Sequence, residues 1–187
     1  MNQDMMSVIA FSLELEKLKA VLRRTKPIGL ERYENSAEHS WQIALVALSL
    51  IPHAKEPVDT AKVVSMLLLH DVVEIDTGDK FAYDANHDDF DNELAAAKRI
   101  FGLLPANTGD AFLELWVEFE QAQSANARFA KAVDRLLPVL QNIHNDGQSW
   151  RSHQITLEQV LKKNAAIADL NDDLWQWVKE EAGKVLN

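Results

Sequence analysis

Apolar residues recur every three or four positions along most of the chain, a spacing typical of amphipathic helices. The first helix is predicted to bury one face, which consists of Val8, Phe11, Leu15, Leu18 and Leu22. Lys26 and Pro27 follow this face and are expected to end the helix, with a connecting loop over 28–33. No segment shows the sustained apolar/polar alternation of a strand.

The second helix is predicted to begin after Asn35, because Asn35 and Glu38 have the spacing of a capping box. Its core-facing residues are expected to be Trp41, Leu45, Leu48 and Ile51. The third helix is predicted over 58–73. Its centre, 63–69, is apolar nearly all round, which is typical of a buried central helix.

Further helices are predicted over 92–104, around 112–119 and from 129 to about 146, with two more after Thr156. The stretch 81–91 is polar without a clear period and is expected to be an exposed loop that includes His87. His87 and the distant His153 are both expected to face solvent. No linker or internal repeat divides the chain. We therefore predict a single all-α domain, residues 1–187, of about seven or eight helices.

Composition restricts the chemistry. The chain has 187 residues and no cysteine, so a disulfide framework and a thiolate metal site are excluded, and any metal must be held by His and carboxylates. The formal net charge of −10 disfavours binding to a nucleic acid backbone, which is driven by cationic side chains. An anionic small substrate remains compatible with this charge if a metal and local cations attract it.

The N-terminal residues lack the basic region and long apolar core of a signal peptide. No apolar run approaches the 18 or more residues that a membrane span requires. We therefore expect a cytoplasmic protein that does not enter a membrane.

The first candidate for chemistry is His70-Asp71, at the polar end of the predicted central helix. Glu74 follows His70 by four residues, so a continuous helix would bring all three groups to one face. Burying such groups unpaired costs several kcal/mol, so a metal or a partner charge is expected there. A helix-end His paired with a carboxylate is the simpler alternative.

Two other positions stand out. His39 lies in the first turn of the second helix, and Asp134 interrupts an apolar pattern, with Lys131 and Arg135 expected to point elsewhere. Two imidazoles and two carboxylates suit divalent Mn, Fe, Co, Ni or Zn better than Ca, which prefers oxygen ligands. Spacing alone leaves a metal site and ordinary ion pairs as alternatives.

The order His, His-Asp and a distant Asp resembles the signature of the HD-domain phosphohydrolases. Residues 32–40 and 70–79 look like the first two motifs of the bacterial 5'-deoxynucleotidases and their eukaryotic HD-domain homologues, and 115–120 followed by 127–134 resembles their third region. The resemblance covers about 10–145, whereas the C-terminal helices, 156–187, carry no recognised motif.

The resemblance implies a role for each matching residue. One divalent metal would be bound by His39, His70, Asp71 and Asp134. Glu74 would orient or deprotonate the attacking water, and Asp79 would contact the sugar or assist the leaving oxygen. Arg24 occupies the place of the phosphate-orienting arginine, although the adjacent Arg23 could serve instead.

The implied activity is hydrolysis of nucleoside 5'-monophosphates, 2'-deoxynucleotides in particular, by a homodimer. Thr25 stands where these nucleotidases carry a tryptophan that disfavours a ribose 2'-hydroxyl, which counts against 2'-deoxy selectivity. Ile75 after Glu74 counts against hydrolysis of guanosine polyphosphate alarmones. The alternatives are a phosphohydrolase for another small phosphorylated metabolite, or a metal- and nucleotide-binding protein without turnover; the intact Glu74 and Asp79 disfavour the latter.

Overall fold

The computed structural model describes residues 2–84 and 89–187, and within these ranges the protein is helical without a strand. The helices are α1 Gln3–Leu15, α2 Ser36–Leu50, α3 Thr60–Leu69, α4 Glu74–Thr77, α5 Phe90–Phe101, α6 Ala106–Gln121, α7 Ala125–His144, α8 Gln148–Ser152, α9 Leu157–Lys163 and α10 Asp172–Leu186. Eight of these helices have seven residues or more, which confirms the all-α prediction. None of the helices in the described ranges is long and apolar enough to cross a membrane.

Helix α3 lies at the centre of the fold, packed against α2, α6 and α7. The side chains of Val63, Met66 and Leu67 are completely buried, as the apolar pattern predicts. The helix ends at Leu69, earlier than the predicted end at 73, because the chain tightens into a 3₁₀ turn, His70–Val73, before α4. This turn carries the His-Asp pair.

Helix α2 begins where its capping box predicts: the Asn35 side chain accepts from the Glu38 N–H, and the Glu38 carboxylate accepts from the Asn35 N–H. The predicted core face of α2 is largely wrong: Ile51 is partly buried against the core, but the other three residues are about half exposed. These are Trp41, Leu45 and Leu48. The buried face instead carries Ile43, Ala44 and Ala47, small enough to allow a close approach of α3.

Helix α1 also shows less burial than predicted. Phe11 is buried, and Leu18 is buried in the 3₁₀ turn that follows, whereas Val8 and Leu22 are exposed. The predicted face is therefore only partly correct.

A short antiparallel pairing leads the chain into α2. The Arg23 N–H donates to the Glu34 carbonyl at 2.8 Å, and the Glu34 N–H donates to the Thr25 carbonyl at 3.0 Å. Leu22 and Asn35 form an isolated β-bridge in the same segment. This pairing fixes Arg23 and Glu34 beside each other just ahead of the first turn of α2.

Two predictions for the middle of the chain are wrong in detail. Helix α5 begins and ends two to three residues earlier than the predicted 92–104. Phe81 and Tyr83 are half-buried rather than exposed, because they pack against the main hydrophobic core. His87 lies outside the described residues, and His153 is exposed as predicted.

The C-terminal segment completes the core. Ile167, Leu170, Val178 and Ala182 are buried in the same cluster as the central residues of α3 and α7. The last forty residues are therefore packed into the domain that carries the motifs.

Candidate active site

The 3₁₀ turn between α3 and α4 fixes His70. The imidazole Nδ1 lies 2.9 Å from the Leu67 carbonyl, which can only accept, so Nδ1 carries the proton. The indole Nε1 of Trp116 donates to the His70 carbonyl at 3.1 Å and holds the turn in place. His70 Nε2 therefore faces Asp71 Oδ1 at 2.9 Å and Asp134 Oδ1 at 3.5 Å.

His39 is oriented by a buried carboxylate. Its Nδ1 lies 3.1 Å from Glu34 Oε2, and its Nε2 lies 3.0 Å from Asp134 Oδ1. The other Glu34 oxygen accepts from the Gln141 side-chain amide at 2.5 Å. Glu34 is 1% exposed, so this carboxylate is shielded from water and acts on its neighbours within the protein.

The residues fit a bound divalent cation. Ligand atoms of His39, His70 and Asp71 lie within 4.8 Å of one another, and Asp134 adjoins both imidazoles. When only Nδ1 of each ring is protonated, as metal binding requires, the Nε2 lone pairs point at carboxylate oxygens, which is repulsive without a cation between them. Among the residues that the structure describes, the buried His70 Nε2 indeed has no hydrogen-bond partner. A cation between these atoms would satisfy all of them, and a carboxylate behind a metal-binding His is a common arrangement.

The electrostatics of the cluster agree with this interpretation. Burial opposes ionisation of His70, but Asp71 and Asp134 raise its pKa to about 10. Burial likewise opposes ionisation of Asp134, but the two imidazoles hold the pKa of that carboxyl well below its usual range. The negative field that retains a proton on His70 would also attract a metal ion, whose binding displaces that proton.

Glu74 and Asp79 flank the cluster on either side of Gly78. Glu74 accepts a hydrogen bond from the Ser36 hydroxyl at 2.5 Å, while burial and the neighbouring Asp71 hold its pKa well above the usual value. Gly78 ends α4 with a φ of 71°, a conformation that favours glycine, and so turns Asp79 toward the cluster. Burial raises the pKa of Asp79 as well.

The two neighbouring arginines have different environments. Arg23 Nη1 lies 2.7 Å from Asp71 Oδ2 and 3.8 Å from Asp79 Oδ1. Burial opposes its charge, but Asp71, Glu74 and Asp79 raise its pKa above the ordinary value. Arg24 is exposed and lines the adjoining cavity, without an ion pair to any residue of the described ranges.

A cavity of about 190 Å³ opens in front of the cluster. Its lining includes every candidate site residue predicted from the sequence except His39, which lies behind Asp134: Arg24, His70, Asp71, Glu74, Asp79 and Asp134. Its far wall is formed by Phe81, Tyr83, Ser149, Trp150 and Asn164.

Lys131 and Arg135 also line this cavity, so the prediction that they point elsewhere is wrong. They lie one turn apart on the same face of α7 as Asp134. Lys131 pairs with Glu120 at 2.9 Å. The spacing of 131, 134, 135 and 138 along one helical face was the signal that could have identified them.

Sequence reasoning missed Glu34 and Gln141. Glu34 lies within the motif 32–40, which implies no role for it, and Gln141 is 107 residues away from it.

Comparison with known proteins is consistent with this geometry. The model of the HD domain family matches residues 15–175. The human 5'-deoxynucleotidase HDDC2 is 28% identical over 136 residues, which cover 69% of this chain but only 65% of the human protein. The Dictyostelium discoideum 5'-deoxynucleotidase HDDC2 is 28% identical over 155 residues, 78% of each chain.

Solved structures extend the match into the C-terminal helices. A predicted metal-dependent phosphohydrolase from Magnetospirillum magnetotacticum MS-1 is 39% identical, with a TM-score of 0.92, over 98% of this chain and 93% of its own. The PH0347 protein from Pyrococcus horikoshii OT3, at 21% identity and a TM-score of 0.65, shares the fold. With an HD domain over most of its length and a His/Asp cluster that fits a divalent metal, this chain belongs to the HD family of metal-dependent phosphohydrolases.

Proposed function

We propose that the protein is a metal-dependent phosphomonoesterase that hydrolyses nucleoside 5'-monophosphates to a nucleoside and phosphate. The observation that carries this proposal is the convergence of His39, His70, Asp71 and Asp134 at one end of a cavity that also contains Glu74. The curated relatives are 5'-deoxynucleotidases, and the chain spans about 65% of the length of the first of them.

The metal would be bound by His39, His70, Asp71 and Asp134, with Mn, Co, Fe, Ni and Zn all suited to this donor set. When bound, such an ion lowers the pKa of a water molecule and withdraws charge from a phosphoryl oxygen. Glu34 keeps the His39 lone pair directed toward the site by accepting the Nδ1 proton.

Glu74 is the proposed general base that takes a proton from the attacking water. Burial and Asp71 hold its pKa well above the ordinary value, which makes the ionised carboxylate a better proton acceptor. The Ser36 hydroxyl orients the carboxylate. Asp79, whose pKa is also raised by burial, is placed to contact the sugar or protonate the leaving 5'-oxygen.

Arg24 is the proposed phosphate ligand, because it lines the cavity without an ion pair in the described ranges and offers a planar fork to phosphate oxygens. Arg23 holds Asp71 and Asp79 in position. Replacing Arg24 with Ala is expected to raise KM for nucleotides. Replacing Arg23 is expected to lower metal affinity rather than to raise KM, because Asp71 and Asp79 lose the group that holds them in position.

The test is phosphate release from a panel of ribo- and deoxyribonucleoside 5'-monophosphates, with Mn or Co added to chelator-treated protein. Asp71→Asn and Glu74→Gln should each abolish release, while only Asp71→Asn should abolish metal binding. Release by Asp71→Asn at the parental rate would refute the proposal.

A second candidate, hydrolysis of another small phosphorylated metabolite, is favoured by Thr25. Its hydroxyl is buried at the cavity wall and has no hydrogen-bond partner within 2–84 and 89–187. Including sugar phosphates in the panel separates the two candidates, since a higher kcat/KM for a sugar phosphate would favour this one.

We also propose that the protein is a homodimer that associates through α2. Trp41, Leu45 and Leu48 form one exposed apolar stripe on this helix, with Trp41 60% exposed. Burial against a second copy would remove this apolar surface from water. Light scattering is expected to give about 42 kDa for the parent, twice the 21.1 kDa chain, and about 21 kDa for Leu45→Glu. A monomeric parent would contradict this proposal.

A further inference from the structure

The cavity extends well beyond the metal-binding cluster, along one face of α7. Asp134, Pro138 and Asn142 all line it, at intervals of four residues. At 1.5 Å per residue, Asp134 and Asn142 are about 12 Å apart along the helix axis. A metal ion and a phosphoryl group occupy only the first part of this length, so the remainder is available to the organic part of a substrate.

The walls of this remote part are aromatic and hydrogen-bonding. Phe81 and Tyr83 are half-buried at its side, and Trp150 lies deeper, 1% exposed. Asn164 donates to the Tyr83 hydroxyl at 3.2 Å, which fixes the phenol ring in the wall. Rigid aromatic rings of this kind offer a face on which a flat ligand ring can pack.

Arg135 supplies the charge in this region. Among the described residues, four other cationic side chains line the cavity, and three of them are paired: Arg23 with Asp71, Lys80 with Glu93 and Lys131 with Glu120. Arg135 is half-buried and has no hydrogen bond or ion pair to any residue in 2–84 or 89–187. Its charge reaches Tyr83, where burial raises the pKa of the phenol and Arg135 lowers it.

Ser149 adds a second polar group without a partner. The residue is 1% exposed and lines the cavity, and its hydroxyl has no hydrogen-bond partner in the part of the chain that the structure describes. Its position is fixed, because its backbone N–H donates to Asn142 Oδ1 at 3.1 Å. A buried hydroxyl without a partner carries a desolvation cost that a ligand atom can remove.

We propose that Arg135, Tyr83 and Ser149 form the subsite that binds the nucleobase, a planar heterocycle with hydrogen-bond acceptors on its edge. The aromatic wall packs against the ring, and the Arg135 guanidinium donates to ring carbonyl or ring nitrogen acceptors. Ser149 exchanges a hydrogen bond with a second edge atom. This inference rests on the proposed nucleotidase function and assigns a task to Ser149, which lies beyond the region 10–145 that the resemblance covers.

The test compares substrates with and without a base. Arg135→Gln should lower kcat/KM for nucleoside 5'-monophosphates by about 10- to 100-fold, the loss expected for a hydrogen bond to a charged group, mainly through KM. The same variant should leave kcat/KM for ribose 5-phosphate, which has no base, within twofold of the parent. The matched control is Arg128→Gln. Arg128 is also on α7 but pairs with Glu56 outside the cavity, so this variant should leave kcat/KM unchanged for both substrates.

Folding and the function itself are checked separately. Arg135→Gln should keep the parental rise in Tm on addition of Mn. Equal losses of kcat/KM for the nucleotide and for ribose 5-phosphate would overturn the subsite, because Arg135 would then act on the phosphate. Parental kcat/KM for both substrates would also overturn it. A selective loss of activity on nucleoside 3',5'-bisphosphates alone would also overturn it, in favour of a second phosphate site.

Failure of the proposed function is distinguishable from failure of the subsite. If the parent releases phosphate from no nucleotide, calorimetric titration with an unphosphorylated nucleoside still probes the subsite. Binding by the parent that is weakened at least 10-fold in Arg135→Gln would support it, and equal affinity of the two proteins would overturn it.

Discussion

Trp116 connects the hydrophobic core to the active site, and its replacement by Phe tests that connection. The indole ring is completely buried, stacks on Phe90 with ring centroids 5.7 Å apart, and donates its N–H to the His70 carbonyl. Phe retains an aromatic ring but removes the donor. The His70 carbonyl then loses its indole donor in a buried environment.

The expected loss has two parts. An unsatisfied buried carbonyl costs about 1–3 kcal/mol. The smaller ring leaves about 40 Å³ unfilled, which at about 24 cal/mol per Å³ adds about 1 kcal/mol. The free energy of unfolding should therefore fall by about 2–4 kcal/mol, and a loss of 3 kcal/mol corresponds to a decrease in Tm of about 6–12 °C for a chain of this size.

The assay is urea denaturation of chelator-treated protein, followed by titration with Mn. Trp177→Phe is the matched control, because Trp177 is 37% exposed on α10 and should change the unfolding free energy by less than about 0.5 kcal/mol. Metal affinity should also fall in Trp116→Phe, since the turn that carries His70 loses its anchor. A Trp116→Phe protein with parental stability would refute this reasoning.

Three further predictions concern the cluster itself. Glu34→Gln should weaken Mn binding by about 10- to 100-fold, as is usual when the carboxylate behind a metal-binding His is replaced; an unchanged Kd in calorimetry would contradict this. Chelation should lower Tm by about 5–11 °C relative to protein held at 100 times Kd in metal, because such binding contributes about 2.7 kcal/mol; equal Tm values would exclude a stabilising site. Because the folded-state pKa of Glu74 is raised, its ionisation should progressively destabilise metal-free protein as pH rises above about 4.5. In urea titrations at pH 7, Glu74→Gln should therefore have a higher free energy of unfolding than the parent. A less stable variant would contradict this.

The features that follow from neighbouring residues were predictable from the sequence. The Asn35–Glu38 capping box formed as predicted because it needs only a four-residue segment. The burial of Val63 and Met66 followed from an apolar run long enough to identify a central helix. The order of the His and Asp residues, together with the resemblance to a family, was sufficient to select the four cluster residues that the fold brings together.

Other features depend on tertiary packing. Helix α2 has apolar residues on two faces, and periodicity favoured the larger ones, Trp41 and Leu45. The fold instead buries the face with Ala44 and Ala47, because close packing on α3 requires small side chains. The 3₁₀ turn after Leu69 contains no Pro or Gly that would mark the end of the helix, so the sequence predicts that the helix continues.

Polar residues that pair across long sequence distances leave no recognisable spacing in the sequence. Glu34 and Gln141 meet only because the pairing of 21–25 with 34–36 places Glu34 against α7. Arg135 was expected to point away from Asp134 because adjacent helical positions diverge by about 100°. The cavity is wide enough on this side to include both positions.

The charge of the cavity explains how an acidic protein can accept an anionic substrate. Among the described residues, six carboxylates and five cationic side chains line it, a formal balance of −1 when His70 is neutral, as metal binding requires. A divalent cation would reverse this balance to +1, so the affinity of the cavity for a phosphate ester depends on the metal. Metal-free protein should therefore bind a nucleoside 5'-monophosphate no more tightly than the corresponding nucleoside, whereas Mn should favour the nucleotide. The long-range repulsion of a chain with net charge −10 still acts on polyanions, which restricts the cavity to small substrates.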